Sequence, residues 1–262
     1  MTVAQALAVA ERELAEAGVD TPRVDAELLA AHVLGVSRSN VYLERDREMP
    51  ADFGQLLERR VAREPLAYVL GEWGFRRLVL KTDERALVPR PETEVVVERA
   101  LAAIALLAEP RVLDLGVGGG AIALSIADEH PGARVVGVDT SPEALALARE
   151  NAERLDLPVE LRLAGVEAAA DGWDLVVANP PYIPQGTLTE LQPELGWEPR
   201  QALVDTGLHE EIARRANARH LVLEVGYGQA PQVAETLEAL GYRDITVTRD
   251  LAGIERVVEG SR

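Results

Sequence analysis

The chain has 262 residues, enough for one sizeable core or for a core with a small accessory domain. It contains no cysteine, which excludes disulfides, thiolate metal sites and a cysteine nucleophile, and no apolar run is long enough to span a bilayer or act as a signal segment, so a cytoplasmic, non-membrane protein is expected. With 44 acidic against 27 basic side chains and a net charge of -17, it lacks the overall basic character of a duplex binder, no direct nucleic-acid partner is expected, and the short basic runs at 45–47 and 58–63 read as solvated helix faces or small local patches.

Residues 1–71 read as helices throughout: Val3, Leu7, Ala10 and Leu14 recur at helical spacing and Gly18 follows as a stop. Thr21 before Pro22 marks a second helix start and Gly35 its end, and "PADFGQLLERRVAREPLAYVLG" gives two further helical pieces, broken at Pro65 and closed by Gly71. A helical accessory domain over 1–71 is the expectation. From Trp73 to Pro89 the pattern turns alternating and β-branched, a hairpin linker over 72–90 with "TDER" as its turn. Residues 91–262 then alternate strand and helix, from "RVLDLG" through "ARVVGVD", "VELRL" and "WDLVVANPP" to "HLVLEVG", which implies an α/β fold with a mostly parallel sheet covered on both faces. "RDITVTRD" and "IERVVEG" have no helix between them and are expected to add an antiparallel edge.

"DLGVGGGA", residues 114–121, ends a buried strand and opens a helix, the place where open α/β sheets bind nucleotide-like ligands. Gly116, Gly118 and Ala121 satisfy the dinucleotide fingerprint, with Asp139 at the end of the next strand as a ribose-binding acid; a turn needed only for strand-to-helix packing is the alternative. Asp114, expected at the mouth of the site, favours a different ligand. A pyrophosphate would meet like charge there, whereas S-adenosylmethionine carries an ammonium and a sulfonium that a carboxylate attracts.

"NPPY", Asn179 to Tyr182, follows the apolar run "DLVVA" and so lies on the same rim of the sheet as the glycine loop. The Asn179 side-chain oxygen and the Pro180 carbonyl can accept both hydrogens of a planar NH2 group, while Pro180 and Pro181 supply no competing N–H and hold their carbonyls in fixed directions. Tyr182 can stack on a flat substrate. Such a cage aligns an amide or amino nitrogen on a methyl group, so alignment rather than a strong base does the catalysis. A plain strand-ending turn is the alternative for "NPPY" by itself.

The sequence closely resembles the release-factor glutamine N5-methyltransferases, the PrmC/HemK family, through "REPLAYVLGEWGF", "LVPRPETE", "DLGVGGGAIALSIA", "NPPYIP", "WEPRQAL" and "LEVGYGQ". The resemblance implies a class I S-adenosylmethionine-dependent methyltransferase of Rossmann-like fold behind a small helical domain that faces the protein substrate. It also implies transfer to the glutamine of the Gly-Gly-Gln motif of peptide-chain release factors, with S-adenosylhomocysteine as the product. Carried over by position, donor contacts fall on Gly116, Val117, Gly118, Gly119, Gly120 and Asp139 and acceptor contacts on Asn179, Pro180, Pro181 and Tyr182, with Asn179 between the two sites. The family's usual acidic contact to adenine is missing: Gly165 and Val166 stand there, Val166 being carried over as a donor-site residue, and Glu167 substitutes if the loop shifts. "PRPETE" corresponds to a segment closing over the site, or else Pro91 simply starts a helix with Glu92 and Glu94 in its first turn. The span from "WEPRQALVDTGLHEE" to "HLVLEVG" looks trimmed.

No metal is expected, since His32, His130, His209 and His220 share no ligand spacing. Trp197 reads as packing or as lining for a peptide groove, and Glu224 as a functional group or a simple strand-end carboxylate. A ribosomal-protein glutamine methyltransferase would share every motif. A nucleic-acid N6-adenine methyltransferase is disfavoured by charge, and a non-catalytic cofactor-binding module by the intact "NPPY". A monomer is expected.

Overall fold

The computed structural model describes residues 1–187 and 191–262. The chain divides into two units, Met1–Glu72 with Gln192–Trp197, and Trp73–Leu191 with Glu198–Arg262.

In the first unit, α1 (Val3–Glu16) opens with a reciprocal cap: the Thr2 side chain accepts from the Gln5 backbone N–H while the Gln5 side chain accepts from that of Thr2. Pro22 supplies the first residue of α2 (Pro22–Leu34), and Gly35 closes it in the left-handed conformation at φ 66°. After α3 (Asp52–Val61) and α4 (Leu66–Leu70), the apolar stripe of α1 packs with Leu29, Leu34, Phe53 and Leu57 into one core. The run at 58–63 is not a solvated face. Arg60 is buried and donates to Asp25 at 2.7 Å and Glu194 at 2.8 Å, and Arg63 grips Glu194 with two bonds of 2.7 Å. Burying an arginine requires a partner carboxylate. The partners here come from positions 25 and 194, far outside any local window, and Glu194 thereby pins Gln192–Trp197 to this unit.

Burial works to raise the Glu194 pKa, but Arg63 and Arg60 hold it down at about 2. Because the folded value lies below the ordinary one, this contribution to stability is present above the usual carboxylate range and is lost as pH falls toward 2. Glu194→Gln is expected to cost about 2–3 kcal/mol at neutral pH and to flatten the acid limb of stability, as urea titrations from neutral to acid pH would measure.

The second unit begins with a two-stranded sheet, β1 (Glu72–Phe75) and β2 (Leu78–Lys81). Its turn is Arg76–Arg77, not "TDER", which forms a separate turn after β2. Arg76 adopts φ 50° without a glycine because its N–H is bonded to Glu94 at 2.9 Å and its guanidinium to Glu129. No turn-forming residue was therefore needed, and none marked the place. Phe75, Leu78 and Leu80 enter the main core of this unit.

The large sheet is built from β3 (Arg111–Leu115), β4 (Arg134–Asp139), β5 (Val159–Leu163), β6 (Trp173–Ala178), β7 (Ala218–Glu224), β8 (Arg243–Arg249) and β9 (Glu255–Ser261). Its order is β5-β4-β3-β6-β7-β9-β8, parallel from β5 to β7, with β9 antiparallel to both neighbours. Helices α5 (Thr93–Ile104), α6 (Ala121–Glu129) and α7 (Pro142–Leu155) share one core with Val112, Leu175, Val177 and Val222. Helices α8 (Leu208–Arg215) and α9 (Ala230–Ala239) share the other with Leu113, Val176, Ala178, Leu221 and Leu223. The period-2 alternation of a strand decides which core each residue enters. By the same parity Asp114, Asn179 and Glu224, at or just past the carboxyl ends of β3, β6 and β7, fall on the α5–α6 side. Helix α5 starts at Thr93, two residues beyond Pro91, after a turn in which Thr93 N–H bonds Arg90 O and Glu94 N–H bonds Pro91 O.

Candidate active site

A cavity of about 210 Å³ opens at the carboxyl edge of the parallel strands. Gly116, Val117, Gly118, Gly119, Asp139, Gly165 and Val166 line one part, and Asn179, Pro180 and Pro181 another. Val88, Pro89, Arg90 and Thr93 complete the wall together with Pro199, Gln201 and Ala202. Gly120 lies just behind, at φ 95°, where a Cβ would come within 2.7 Å of Leu124. It allows the turn into α6 and is not on the cavity wall.

Three backbone donors of the glycine loop are engaged internally. Gly116 and Val117 N–H both bond Val138 O, at 2.8 and 2.9 Å, and Gly118 N–H bonds Asp139 Oδ2 at 3.0 Å. A pyrophosphate site needs such N–H groups turned to the ligand. The engagement of these three counts against the dinucleotide alternative. Asp114 is displaced from its expected place: it is fully buried, does not line the cavity, and accepts from Ala123 N–H in the first turn of α6 at 2.9 Å. Strand parity is the reason, since it turns the side chain toward α6 and not into the mouth. Burial pushes its carboxyl up to about 7, with the Ala123 bond opposing and the Asp139 charge adding to the rise.

Asp139 is oriented by two backbone donors, Gly118 and, at 2.9 Å to Oδ1, Ser141. A carboxylate has about four acceptor positions, so both oxygens keep capacity for two ribose hydroxyls. Gly165 and Val166 stand on the wall as expected, whereas Glu167 folds back to accept from Gly165 N–H at 2.8 Å and does not reach the cavity. It therefore does not replace the missing acidic contact. These residues fit S-adenosylmethionine: Gly116 presents open space where a Cβ would stand, and Asp139, on the wall, keeps acceptor capacity for the ribose.

In the acceptor half, Asn179 Nδ2 donates to Thr93 Oγ1 at 3.2 Å, leaving Oδ1 to accept. Tyr182 is not on the cavity wall. Its ring lies over Gly226, where a Cβ would come within 2.9 Å of Cδ2, and its carbonyl accepts from Gln229 at 3.1 Å. The hydroxyl sits 3.4 Å from Glu224 Oε1, and burial pushes the phenol up to about 12. Tyr182 thus anchors the turn, and stacking on substrate would require it to move.

Three residues of the site had drawn no role from the sequence. Thr93 is buried at the start of α5. Glu198, also buried, accepts from Val88 N–H at 3.0 Å and from Arg90, and so ties "WEPRQAL" to "LVPRPETE". Asn151 joins Lys81 of β2 to Gly119 O, accepting at 2.7 Å and donating at 3.1 and 2.9 Å. Its signal was legible: a polar residue on the face of α7 that carries Ala144, Leu147 and Ala148 inward.

Residues 5–71 match the family model of the PrmC N-terminal domain, and residues 93–238 that of the methyltransferase small domain. The chain is similar to the release factor glutamine methyltransferase of Caulobacter vibrioides, with 37% identity covering 99% of this chain and 96% of that one. The corresponding values are 40%, 99% and 96% for Vibrio cholerae, and 43%, 94% and 97% for Bordetella pertussis. Among solved structures, the hMettl16 catalytic domain in complex with MAT2A 3'UTR hairpin 6 aligns with a TM-score of 0.56 at 16% identity, covering 70% of this chain and 74% of that one, a likeness of fold alone. Fold and glycine loop together make the second unit a class I, S-adenosylmethionine-dependent methyltransferase domain. Matched by both domain models and by relatives along nearly its whole length, the chain belongs to the release factor glutamine methyltransferase family.

Proposed function

We infer that this chain transfers a methyl group from S-adenosylmethionine to the side-chain N5 of the glutamine in the Gly-Gly-Gln motif of peptide-chain release factors, acting in the cytoplasm as a monomer. The observation that carries the reading is the commitment of Asn179 Nδ2 to Thr93, which leaves Oδ1 as an acceptor on the same wall as the glycine loop. When bound, S-adenosylmethionine supplies a methyl carbon activated by a sulfonium. Asn179 Oδ1 and the Pro180 carbonyl would each accept a hydrogen bond from the substrate NH2 and turn the nitrogen's open face toward that carbon, S-adenosylhomocysteine being the leaving product. The nitrogen becomes strongly acidic only once methylated, so its proton then leaves without a dedicated base. Asp139 holds the ribose, and Asp114 fixes the first turn of α6 behind the donor loop by accepting from Ala123 N–H.

Residues 1–71 serve as the substrate-recognition domain and 91–262 as the catalytic domain in this reading, with the hairpin segment 72–90 linking them along the chain and adding Phe75, Leu78 and Leu80 to the catalytic core and Val88, Pro89 and Arg90 to the cavity wall. The acidic chain, with its net charge of -17, is suited to a protein rather than a nucleic-acid acceptor. Among the described residues no helix is long and apolar enough to cross a membrane. Incubation with labelled S-adenosylmethionine and release factors, followed by mass mapping, should place a single methyl on the Gly-Gly-Gln glutamine. Label on ribosomal proteins alone would overturn the assignment.

Asp139→Ala is expected to weaken donor binding by about 10- to 100-fold, because two charge-assisted hydrogen bonds worth ~1.5–3 kcal/mol each are partly replaced by water. The chemical step in the saturated complex should change less. Calorimetry showing unchanged affinity would move the ribose contact elsewhere.

A further inference from the structure

Glu224 has no exposed surface, yet it is a carboxylate at the end of a central strand. In the parallel pairing of β6 and β7, Ala178 stands opposite Leu223, so the next residues along are Asn179 and Glu224. Parity turns both toward α5, whose first residue is Thr93. The Tyr182 hydroxyl lies 3.4 Å from Oε1. Glu224 Oε2 is buried without a hydrogen-bond partner, and Thr93 beside it favours the charged form. Tyrosine, the last residue of "NPPY", thus meets a buried acid directly, and Thr93, which accepts from asparagine, the first, lies on the same face as the acid's unpartnered oxygen.

We propose that Glu224 is the positioning residue of the acceptor site: as an acceptor-only carboxylate it orients the chain Asn179 Nδ2–H to Thr93 Oγ–H to Glu224, and so fixes Asn179 Oδ1 toward the substrate amide while holding the Tyr182 hydroxyl. The inference rests on the acceptor-site reading above and deepens it. A threonine hydroxyl has one hydrogen to give. Beside a carboxylate that hydrogen goes to the carboxylate, so Thr93 must accept from Asn179, whose NH2 is thereby turned away from the substrate NH2. A neutral Glu224 has its own hydrogen to donate, and the chain can run backwards. Thr93 then donates to Asn179 Oδ1, and Asn179 faces the substrate with a second NH2, which repels the first.

The charge state of Glu224 is within reach of physiological pH. Burial raises its pKa to about 7, against the Thr93 and Tyr182 contacts and the charge of Arg256 on β9, and with the charge of Glu92 before α5. From α8, His209 meets only the Glu224 backbone oxygen, at 2.7 Å, and its own pKa is lowered by burial. A raised carboxyl pKa means that the fold gains stability from the proton and loses that gain as pH rises through the folded value. Function requires the opposite form. This opposition separates a positioning role from a merely structural one.

The test uses the full chain with Glu224→Gln, Thr93→Val and wild type. Glu224→Gln copies the protonated acid, so above neutral pH its unfolding midpoint should equal or exceed that of wild type, with S-adenosylmethionine affinity unchanged. Its kcat should fall by about 10- to 100-fold with little change in KM for the release factor, because the loss is one of alignment in the transition state. Wild-type kcat should fall as pH drops below about 7, and the variant should lose this limb. Thr93→Val should lose a similar factor, and the double variant should be no slower than the slower single one. In side-chain amide NMR of the donor-bound protein, the Asn179 NH2 signals should titrate between about pH 6 and 8 in wild type and stay still in Glu224→Gln. A folded Glu224→Gln with wild-type kcat and pH profile would overturn the proposal, as would a Glu224→Gln too unstable to fold, or Asn179 signals that ignore pH in wild type. Titrating Asn179 signals in a protein that methylates some other acceptor would support the proposal and sink only the release-factor reading.

Discussion

Asn179→Ala is expected to bind S-adenosylmethionine as the wild type does and to lose methyl transfer by a factor of about 30 to 1000, the cost of one aligned hydrogen bond worth roughly 2–4 kcal/mol in a transition state. The donor loop should be untouched, because Gly116, Val117 and Gly118 are held by Val138 and Asp139 and not by Asn179. What is lost is the oxygen that sets the direction of the substrate NH2. Thr93 would keep its place at the start of α5 but lose the group that donates to it. Donor affinity by calorimetry and single-turnover transfer to a release factor check the two halves separately. Equal losses in both would mean that Asn179 holds the donor and that the amide cage is wrongly assigned.

The second large effect concerns the helical unit. A chain lacking residues 1–71 is expected to retain S-adenosylmethionine binding and to lose about 100-fold or more in kcat/KM on an intact release factor. A protein acceptor needs on the order of 800 Å² of contact on each partner, far more than one glutamine side chain offers. The cavity wall is drawn entirely from residues between Arg85 and Leu208 of the second unit, so the donor site survives the cut. Gln192–Trp197 does not survive it unchanged, for Glu194 loses both Arg60 and Arg63. Four residues later Glu198 closes the wall through Val88 and Arg90. Some loss of turnover should therefore appear even with a short Gly-Gly-Gln peptide, and a larger loss with the whole factor. Circular dichroism and a thermal melt establish that the truncated chain is folded. If it then methylated intact release factor as well as the full chain, the helical unit would be reassigned from substrate recognition to stability.

What the sequence determined by itself is local chemistry and periodicity. The helical stripe Val3, Leu7, Ala10 and Leu14, the alternation of strand and helix after Pro89, the glycine loop, Asp139 and the Asn-Pro-Pro-Tyr turn each declare themselves within a few residues, because spacing, chain stiffness and hydrogen-bonding capacity are properties of neighbours along the chain. What only the tertiary structure decided is which groups from distant segments share a buried space. The hairpin turn at Arg76 carries no turn residue because Glu94 and Glu129 hold it from outside. Arg60 and Arg63 look like surface charge until Asp25 and Glu194 arrive to neutralise them. Asp114 points under the loop rather than into its mouth, a matter of strand parity set by which face α6 covers. Tyr182 is locked onto Gly226 and Glu224 of the next strand, and Thr93, 86 positions before Asn179, orients its amide. A buried polar group must find a partner wherever the fold brings one, and separation along the chain places no limit on where that is.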